Sequence, residues 1–175
     1  ERTMDKRYLA VVEGEMKEPS GRIEQPVARS KKDRKKMAID PEGRYALTEW
    51  TLKENLRGAA LLEVHILTGR THQIRVHMQY AKHPLVGDPV YTANGPKDAR
   101  AQLGLKRQFL HSFKIRFTHP ETSEELKFAD NLPRDLAEVL TGLADRSRGL
   151  TDAGHEVADL LADAPHPSVE GELPE

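Results

Sequence analysis

The sequence contains no cysteine and no long run of apolar residues. Without cysteine the protein has no disulfide framework and no thiolate chemistry, which suits a reducing compartment. No apolar stretch is long enough to cross a bilayer, and residues 1–8 contain no signal-peptide core. These absences argue against a secreted disulfide scaffold and against a membrane partner, and they predict a cytoplasmic location.

The charge of the chain is balanced overall but unevenly distributed along it. The formal net charge is -1 over 175 residues. Residues 1–140 hold 25 lysines and arginines against 20 acidic residues, whereas residues 141–175 hold 2 against 8. A mildly basic body favours contact with polyanions, and an acidic end stays solvated. We therefore predict one domain over residues 1–144 and an acidic, disordered tail over residues 145–175.

The body of the chain shows the period-two alternation of half-buried strands. The predicted strands are residues 7–12, 45–52, 61–67, 109–117 and 126–128. A turn at residues 55–59 joins the second and third strands into a hairpin. In the fourth strand, Phe113, Ile115 and Phe117 are expected to share one face.

Helical spacing predicts three helices, over residues 71–82, 98–103 and 134–144. Thr71 is the expected N-cap of the first helix, and Pro133 stands just before the last. Strands arranged as hairpins with helices between them favour an α+β fold. The expected architecture is a mixed, mostly antiparallel sheet with flanking helices.

The densest polar cluster lies in the segment Leu67–His77, which follows a predicted strand. It contains two arginines, two histidines, a glutamine and two threonines. A helix that begins here offers unpaired amide donors and positive potential, which favour phosphate, and Arg70 and Arg75 supply further donors. Because a globular core has little use for such a cluster, we interpret it as a functional site.

A basic run occupies Arg29–Lys36, with six positive charges and one negative in eight residues. Charge runs of this kind are most often solvated loops. Since the segment Leu67–His77 also collects arginines, we interpret the basic run as a loop that clamps a nucleic-acid backbone.

Seven segments resemble the motifs of one enzyme family, in the family's order and spacing. They are Lys6–Gly14, Pro26–Arg29, Asp33–Met37, Ala46–Thr48, Thr68–His77, His83–Tyr91 and Arg107–His111. The family is that of the pseudouridine synthases that modify large-subunit ribosomal RNA, the Rlu type. The resemblance runs from about Arg2 to Leu143, and it implies the pseudouridine synthase fold with an RNA-binding cleft along one face.

The resemblance implies isomerisation of uridine to pseudouridine in structured RNA, with ribosomal RNA as the first substrate candidate and transfer RNA as the second. No cofactor or metal is needed, and the target base must leave its stack. Tyr8 would lie against the uracil and assist loss of the carbon 5 proton. Arg75 would hold the catalytic aspartate by a salt bridge, and Leu110 would pack against the base. The plainer alternatives are a strand tyrosine, a surface arginine and a core leucine.

The charge pattern and the resemblance together predict which residues bind RNA. Six of them belong to the basic run, and the others lie in or near the remaining motifs. The set is Arg29, Lys31, Lys32, Arg34, Lys35, Lys36, Arg70, Thr71, His72, Gln73, His77, Gln108 and His111.

The sequence differs from the family pattern at the catalytic nucleophile. The family carries its catalytic aspartate in a His-Arg-Leu-Asp motif some tens of residues before the tyrosine motif, and this sequence contains no such motif. We therefore expect the C-terminal portion of a catalytic domain, incomplete at its N-terminus, inactive alone, and partnered by the missing portion.

Two structural consequences are expected from the missing nucleophile. Arg75 should lack a charge partner and be hydrated or bind an external anion. A sheet edge should be uncovered, which favours aggregation or a partner. If the short chain were nevertheless active, Asp5 or Asp88 would have to be tested in place of the missing aspartate.

Two other classes of function remain open at this point. The chain could be a non-catalytic RNA-binding module that keeps the basic cleft. It could also be a phosphodiesterase in which two of His72, His77 and His111 act as acid and base. A metal site is disfavoured, because His72 and His77 are five residues apart, not the four that place two ligands on one helix face.

Overall fold

The computed structural model describes residues 4–56, 58–92 and 104–144. Its elements are β1 (Asp5–Glu13), β2 (Ser20–Glu24), β3 (Val27–Arg29), β4 (Met37–Ile39), β5 (Leu47–Leu56), β6 (Ala59–Ile66), α1 (Gln73–Tyr80), β7 (Leu110–Thr118), β8 (Glu125–Ala129) and α2 (Arg134–Ala144). Six strands form one sheet in the order β2-β5-β6-β1-β7-β8, and every neighbouring pair is antiparallel. The hairpin of β3 and β4 forms a separate sheet. The predicted α+β class is confirmed.

Strand β1 lies inside the six-stranded sheet, and its alternating side chains define the two sides of that sheet. Leu9 and Val11 belong to a core cluster with α2, whereas Ala10 and Val12 belong to a second cluster with α1. We call these the α2 side and the α1 side. The α2-side core includes Leu9, Val11, Leu56, Leu61, Phe109, Phe113, Leu136, Val139, Leu140 and Leu143. The α1-side core includes Ala10, Val12, Ile23, Leu62, Val64, Ile66, Ile74, Met78 and Leu85.

Most of the predicted elements are confirmed within a few residues. The five predicted strands correspond to β1, β5, β6, β7 and β8, and β5 and β6 form the expected hairpin. Helix α2 has the predicted bounds. Strands β2, β3 and β4 were not predicted, because β2 contains one large apolar side chain and β3 and β4 have three residues each, too few to show an alternation. The basic run begins at the last residue of β3 and forms the loop that joins β3 to β4, as the sequence predicts.

Helix α1 starts later than the sequence predicts. Its N-cap is His72, which has φ 54° and ψ 23°, and no side chain caps the helix. The prediction of Thr71 as N-cap is therefore wrong. The Gln73 side chain accepts a hydrogen bond from the Arg70 amide and so stabilises the turn before the helix. His72, in the left-handed conformation, directly precedes the first helical turn.

A β-bulge in β7 contradicts the prediction that Phe113, Ile115 and Phe117 share one face. Pairing with β1 shifts by one residue at this point, and Phe113 is the extra residue. Phe113 therefore packs in the α2-side core, while Ile115 pairs with Lys6 on the α1 side. One inserted residue reverses the side on which every later residue lies.

The α1 side carries an exposed apolar strip at the β7–β8 end of the sheet. We call it the β7–β8 strip, and it consists of Ile115, Phe117, Leu126 and Phe128. Phe117 and Phe128 stack with ring centroids 6.0 Å apart, and Phe128 is 58% exposed. Nearby Met4, just before β1, is 47% exposed. Apolar surface of this kind marks a place where another polypeptide or ligand packs.

Strand β1 is paired on both sides, and the expectation of an uncovered sheet edge stays a prediction. Among the described residues the outer strands of the sheet are β2 and β8. The predicted helix over residues 98–103 and the predicted tail over residues 145–175 lie outside the described residues. Neither α1 nor α2 is long and apolar enough to span a membrane.

Candidate active site and RNA interface

Gln73 is a structural residue at the centre of the segment Leu67–His77. Its side chain is buried, and its Oε1 accepts hydrogen bonds from Thr68 Oγ1 at 2.7 Å and from the Arg70 amide at 3.0 Å. Its Nε2 donates to Leu47 O and to Thr48 Oγ1, both at 3.0 Å. These bonds tie the start of α1 to β5. The prediction that Gln73 contacts RNA is contradicted in this conformation, because its polar atoms face inward and are already bonded.

His77 is fully buried and hydrogen-bonded at both ring nitrogens. Nε2 lies 2.9 Å from Gln25 O, and Nδ1 lies 2.8 Å from Thr48 Oγ1. Because a carbonyl oxygen only accepts, Nε2 carries the proton and the threonine hydroxyl donates to Nδ1. Burial lowers the pKa of His77 and favours this neutral form. The predicted RNA contact of His77 is therefore wrong, and so is its role as acid or base in a phosphodiesterase.

Arg75 and Asp88 form a buried, two-pronged ion pair. Arg75 Nε donates to Asp88 Oδ2 at 2.8 Å, and Nη2 donates to Oδ1 at 2.9 Å. The side chains are 11% and 1% exposed. The carboxylate also accepts from the amides of Val90 and Tyr91 at 2.9 and 3.0 Å. The prediction that Arg75 lacks a charge partner is thus wrong.

The hydrogen bonds of the pair outweigh the cost of its burial. Burial opposes ionisation of Asp88, but the bonds from Arg75 and from two backbone amides keep the pKa of the carboxyl below its usual value. The bond to Asp88 likewise raises the pKa of Arg75 above its ordinary value. Both groups are therefore charged at neutral pH, and the guanidinium is held in one orientation.

Gly87 explains how Asp88 reaches a helix thirteen residues earlier in the chain. The residue has φ +78°, and a Cβ at this position would lie 2.2 Å from Arg107 O. Only glycine fits both the left-handed backbone and this close approach. The tight turn at Gly87 aims the next side chain, that of Asp88, at the buried guanidinium of Arg75.

The exposed edge of the same segment consists of Arg70, Thr71 and His72. Arg70 is half-buried, and its Nε donates to Tyr45 O at 2.8 Å. Thr71 and His72 are exposed. His72 Nδ1 lies 2.8 Å from the Tyr91 hydroxyl. These three residues are positioned to meet a ligand, and their assignment to RNA stays a prediction.

The basic hairpin of β3 and β4 packs beside α1. Arg29 Nη1 donates to Arg34 O at 2.7 Å, which closes the turn of the hairpin. Lys31 Nζ lies 3.3 Å from Asp40 and 2.8 Å from Glu42. The exposed cations of the hairpin are Arg29, Lys31, Lys32, Arg34, Lys35 and Lys36. The fold therefore presents the predicted basic residues at the surface, next to the segment that contains His72.

Tyr8 and Leu110 lie on the α1 side of the sheet, next to the core that α1 covers. Both are partly buried against that core. Burial raises the pKa of the Tyr8 hydroxyl. His111 pairs with Leu9, so it lies on the α2 side, with Nε2 3.4 Å from Asp130 O. The predicted RNA contact of His111 is therefore not on the same side as Tyr8. Gln108 is half-buried just before β7, and its role stays a prediction.

Neither remaining carboxylate fits the role of the missing nucleophile. Asp88 is used fully by Arg75 and two backbone amides. Asp5 pairs with Arg7, Arg116 and His65 at 3.0 to 3.1 Å. Asp5 also lies an odd number of residues from Tyr8 along β1, on the opposite side of the sheet.

The family model for RNA pseudouridylate synthases matches residues 1–80. An uncharacterized RNA pseudouridine synthase of Chloroflexus aurantiacus is 44% identical over 146 residues, which are 83% of this chain and 44% of that protein. The ribosomal large subunit pseudouridine synthase D of Xanthomonas campestris is 40% identical over 153 residues, or 83% of this chain and 46% of that protein. The chain belongs to the RNA pseudouridylate synthase family. The predicted family is thereby confirmed.

The solved structure of human RNA pseudouridylate synthase domain containing 1 shares the fold of this pseudouridine synthase chain. The TM-score is 0.67 at 24% sequence identity, and the match covers 94% of this chain and 68% of the human chain. The predicted fold is thus confirmed. The chain spans less than half the length of the curated relatives it matches.

Sequence reasoning did not find the structural roles of Asp88, Tyr91 and Thr48 in this candidate site. Both Asp88 and Tyr91 were recognised as letters of the motif His83–Tyr91, and Asp88 was considered only as a substitute for the missing nucleophile. Their partners lie on α1 and on the hairpin, so only a known tertiary contact could have assigned them. Thr48 follows a buried Leu47 in the strand β5, and an alternating pattern alone does not distinguish a hydroxyl that bridges Gln73 and His77 from a surface threonine.

Proposed function

We propose that this chain is part of an enzyme that isomerises uridine to pseudouridine in structured RNA, with ribosomal RNA as the first substrate candidate and transfer RNA as the second. The observation that carries the proposal is the Arg75–Asp88 pair, in a chain 40% identical to a ribosomal large subunit pseudouridine synthase D. Asp88 holds the guanidinium of Arg75 in one orientation on the α1 side of the sheet, and Tyr8 and Leu110 lie on the same side. An RNA substrate also fits the predicted cytoplasmic location.

The reaction exchanges one bond of the base for another without net gain or loss of atoms. The bond between ribose carbon 1′ and uracil nitrogen 1 breaks, the base turns, and carbon 1′ bonds to carbon 5. Carbon 5 loses its proton, and nitrogen 1 gains one. Tyr8 assists loss of the carbon 5 proton, Leu110 packs against the turned-out base, and no cofactor is required.

Arg75 has one nitrogen left for the nucleophile. Its Nε and Nη2 are bonded to Asp88, and Nη1 has no partner among the described residues. In our proposal Nη1 meets the catalytic aspartate, which lies in a segment outside this chain. Asp88 then fixes the guanidinium, and the guanidinium keeps the nucleophile ionised.

The β7–β8 strip supports a partner segment on the α1 side. The curated relatives are more than twice as long as their match to this chain. Phe117, Leu126 and Phe128 form apolar surface on the side that carries Tyr8, beside the start of β1. We expect the segment with the nucleophile to cover this strip, and we expect this chain alone to be inactive.

Release of tritium from RNA labelled at carbon 5 of uridine tests the enzyme. We would compare this chain with a fusion to the part of the Chloroflexus aurantiacus relative that precedes the match. Release by the fusion alone is expected. As a control, the fusion would carry Asn in place of the catalytic aspartate that we assign to the added segment, and it should release none.

Release by the short chain would contradict our account of the nucleophile. If a folded fusion bound RNA without releasing tritium, the alternative would replace the enzyme. That alternative is a non-catalytic RNA-binding module, and the exposed basic hairpin is the observation that favours it.

RNA binding should depend steeply on salt, because the exposed cations of the hairpin would displace counterions from phosphates. Lys32 and Lys35 are exposed and have no acidic partner among the described residues. Changing both to Gln should weaken binding and reduce the slope of log K against log salt by roughly 1.4 to 1.8. Fluorescence anisotropy with a ribosomal RNA fragment measures both the affinity and the slope. The salt concentration would be varied over roughly 50 to 200 mM.

The matched control for the salt experiment changes two exposed lysines elsewhere, Lys17 and Lys114, to Gln, and neither has an acidic partner among the described residues. They carry the same charge and lie outside the hairpin, so the slope should stay close to that of the unchanged chain. Equal slopes for both double variants would reject the hairpin as the phosphate-binding element.

A further inference from the structure

One buried tyrosine contacts three separate parts of the site. Tyr91 is 2% exposed, and its hydroxyl accepts a hydrogen bond from the Met37 amide of β4 at 2.9 Å. The same hydroxyl lies 2.8 Å from His72 Nδ1, just before α1. The Arg75 guanidinium lies over the ring, 4.8 Å from its centroid, and the Tyr91 amide donates to Asp88. Tyr91 therefore joins the basic hairpin, the exposed His72 and the buried ion pair.

The hydrogen-bond partners of the Tyr91 hydroxyl favour one tautomer of His72. The Met37 amide can only donate, so the Tyr91 oxygen accepts there. The hydroxyl then has its own hydrogen to place, and a buried hydroxyl needs an acceptor. Among the described residues the available acceptor is His72 Nδ1. The imidazole consequently carries its proton on Nε2, and this N–H belongs to a residue exposed to solvent.

We propose that Tyr91 is a positioning residue that holds His72 as a neutral hydrogen-bond donor for the RNA backbone. Tyr91 also fixes the position of the basic hairpin relative to the Arg75–Asp88 pair. The part of this inference that concerns RNA rests on the proposed function. The part that concerns His72 and the hairpin does not, because it depends only on contacts within the chain.

The backbone at His72 supports a constrained ring. A φ of 54° lies in the left-handed region, which is unfavourable for a non-glycine residue. Such a conformation persists where the surroundings determine it, and it is most frequent at functional sites. Here the bond to the Tyr91 hydroxyl holds the ring on the inner side and leaves Nε2 on the outer side.

The charges around His72 agree with a neutral ring. Burial lowers its pKa, and the nearby guanidinium of Arg75 lowers it further, while the carboxylate of Asp88 opposes this in part. The third group that faces the ring is the Tyr91 hydroxyl. A neutral imidazole with a defined tautomer donates from Nε2 without needing to be protonated.

Nitrogen NMR of the histidine rings in this chain as it stands tests the inference without any activity. In the unchanged chain the His72 shifts should show the Nε2–H tautomer with an apparent pKa below that of a free histidine. In Tyr91→Phe, which removes only the hydroxyl, the tautomer preference should be lost and the pKa should rise. Tyr80→Phe is the control, because this tyrosine is 53% exposed and has no contact with His72, and it should change neither property.

The unchanged chain already decides the tautomer, even if Tyr91→Phe should fail to fold. An Nδ1–H tautomer in the unchanged chain would overturn the inference. So would identical His72 titrations for the unchanged chain and a folded Tyr91→Phe variant.

RNA affinity separates this inference from the proposed function. Tyr91→Phe should bind an RNA fragment about tenfold more weakly with an unchanged salt slope, because a directed hydrogen bond is lost and no cation is removed. The expected NMR changes without RNA binding by any variant would support the positioning role within the chain and reject the proposed function. Unchanged affinity in a variant with altered His72 would overturn the role of Tyr91 toward RNA.

Discussion

Changing Asp88 to Ala is expected to lower the free energy of unfolding by about 3–5 kcal/mol, a large part of the stability of a domain of this size. The substitution leaves the guanidinium of Arg75 without its partner, although its side chain is only 11% exposed. It also leaves the amides of Val90 and Tyr91 without their acceptor. Urea unfolding of this chain at neutral pH, followed by circular dichroism, measures the loss.

The matched control for Asp88 is a second two-pronged arginine–aspartate pair at the surface. Arg107 donates to Asp135 at 2.6 and 2.8 Å, and the two side chains are 46% and 49% exposed. Water and salt screen this pair, so Asp135→Ala should cost about 1 kcal/mol or less. Equal losses for Asp88→Ala and Asp135→Ala would show that burial of the Arg75 pair contributes nothing.

The effect of Asp88→Ala should also depend on pH, in a direction that the pKa of Asp88 determines. The folded-state pKa lies below the unfolded value, so ionised Asp88 stabilises the fold fully above the unfolded pKa of about 3.9. This contribution is lost as the pH falls through the folded pKa. The stability difference between the unchanged chain and the variant should therefore be constant near neutral pH and shrink in acid. A difference that grew in acid would contradict the ion pair.

Changing Tyr8 to Phe is expected to reduce isomerisation by the active fusion protein by roughly 10²–10⁴-fold, the usual contribution of a general acid or base. The side chain keeps its position against the α1-side core, because only the hydroxyl is removed. RNA affinity and thermal unfolding should therefore stay unchanged. Single-turnover tritium release, with saturating protein, isolates the chemical step from binding.

Tyr80→Phe is the matched control for Tyr8, since it removes a hydroxyl from an exposed tyrosine at the end of α1. Its rate should equal that of the unchanged fusion. A Tyr8→Phe variant with full activity would leave Tyr8 as an ordinary strand tyrosine. If both the rate and the affinity fell together, Tyr8 would act in binding the base and not in proton transfer.

Local sequence patterns predicted the elements in which the apolar pattern repeats several times. The alternation in β1, β5, β6 and β7, and the apolar spacing of Leu136, Val139, Leu140 and Leu143 in α2, are repeated often enough to exceed chance. Strand β2 contains one large apolar side chain and β3 and β4 have three residues each, so no alternation is visible and all three were missed. The bulge at Phe113 was missed because the alternation within β7 does not show which of its residues will lack a pairing partner on β1.

The candidate site shows the same division. The motif at Thr68–His77 and the basic run identified the family and the region of the site from order and spacing alone. They could not separate Gln73 and His77, which are buried, from Arg70, which is half-buried, and His72, which is exposed. All four are polar residues of one short segment, and polarity does not reveal the side on which a residue's partner lies.

The sequence by itself therefore determined the fold class, the family and the segments that make up the site, since these depend on periodicity and on motifs read along the chain. Only the tertiary structure decided that Asp88 neutralises Arg75, that Tyr91 holds His72, and that His111 lies on the opposite side of the sheet from Tyr8. The physical reason is that an ion pair or hydrogen bond requires two groups to meet within about 3 Å. Whether two groups meet depends on how segments far apart in the chain pack together. A shift of one residue in strand register moves a side chain to the opposite side of the sheet.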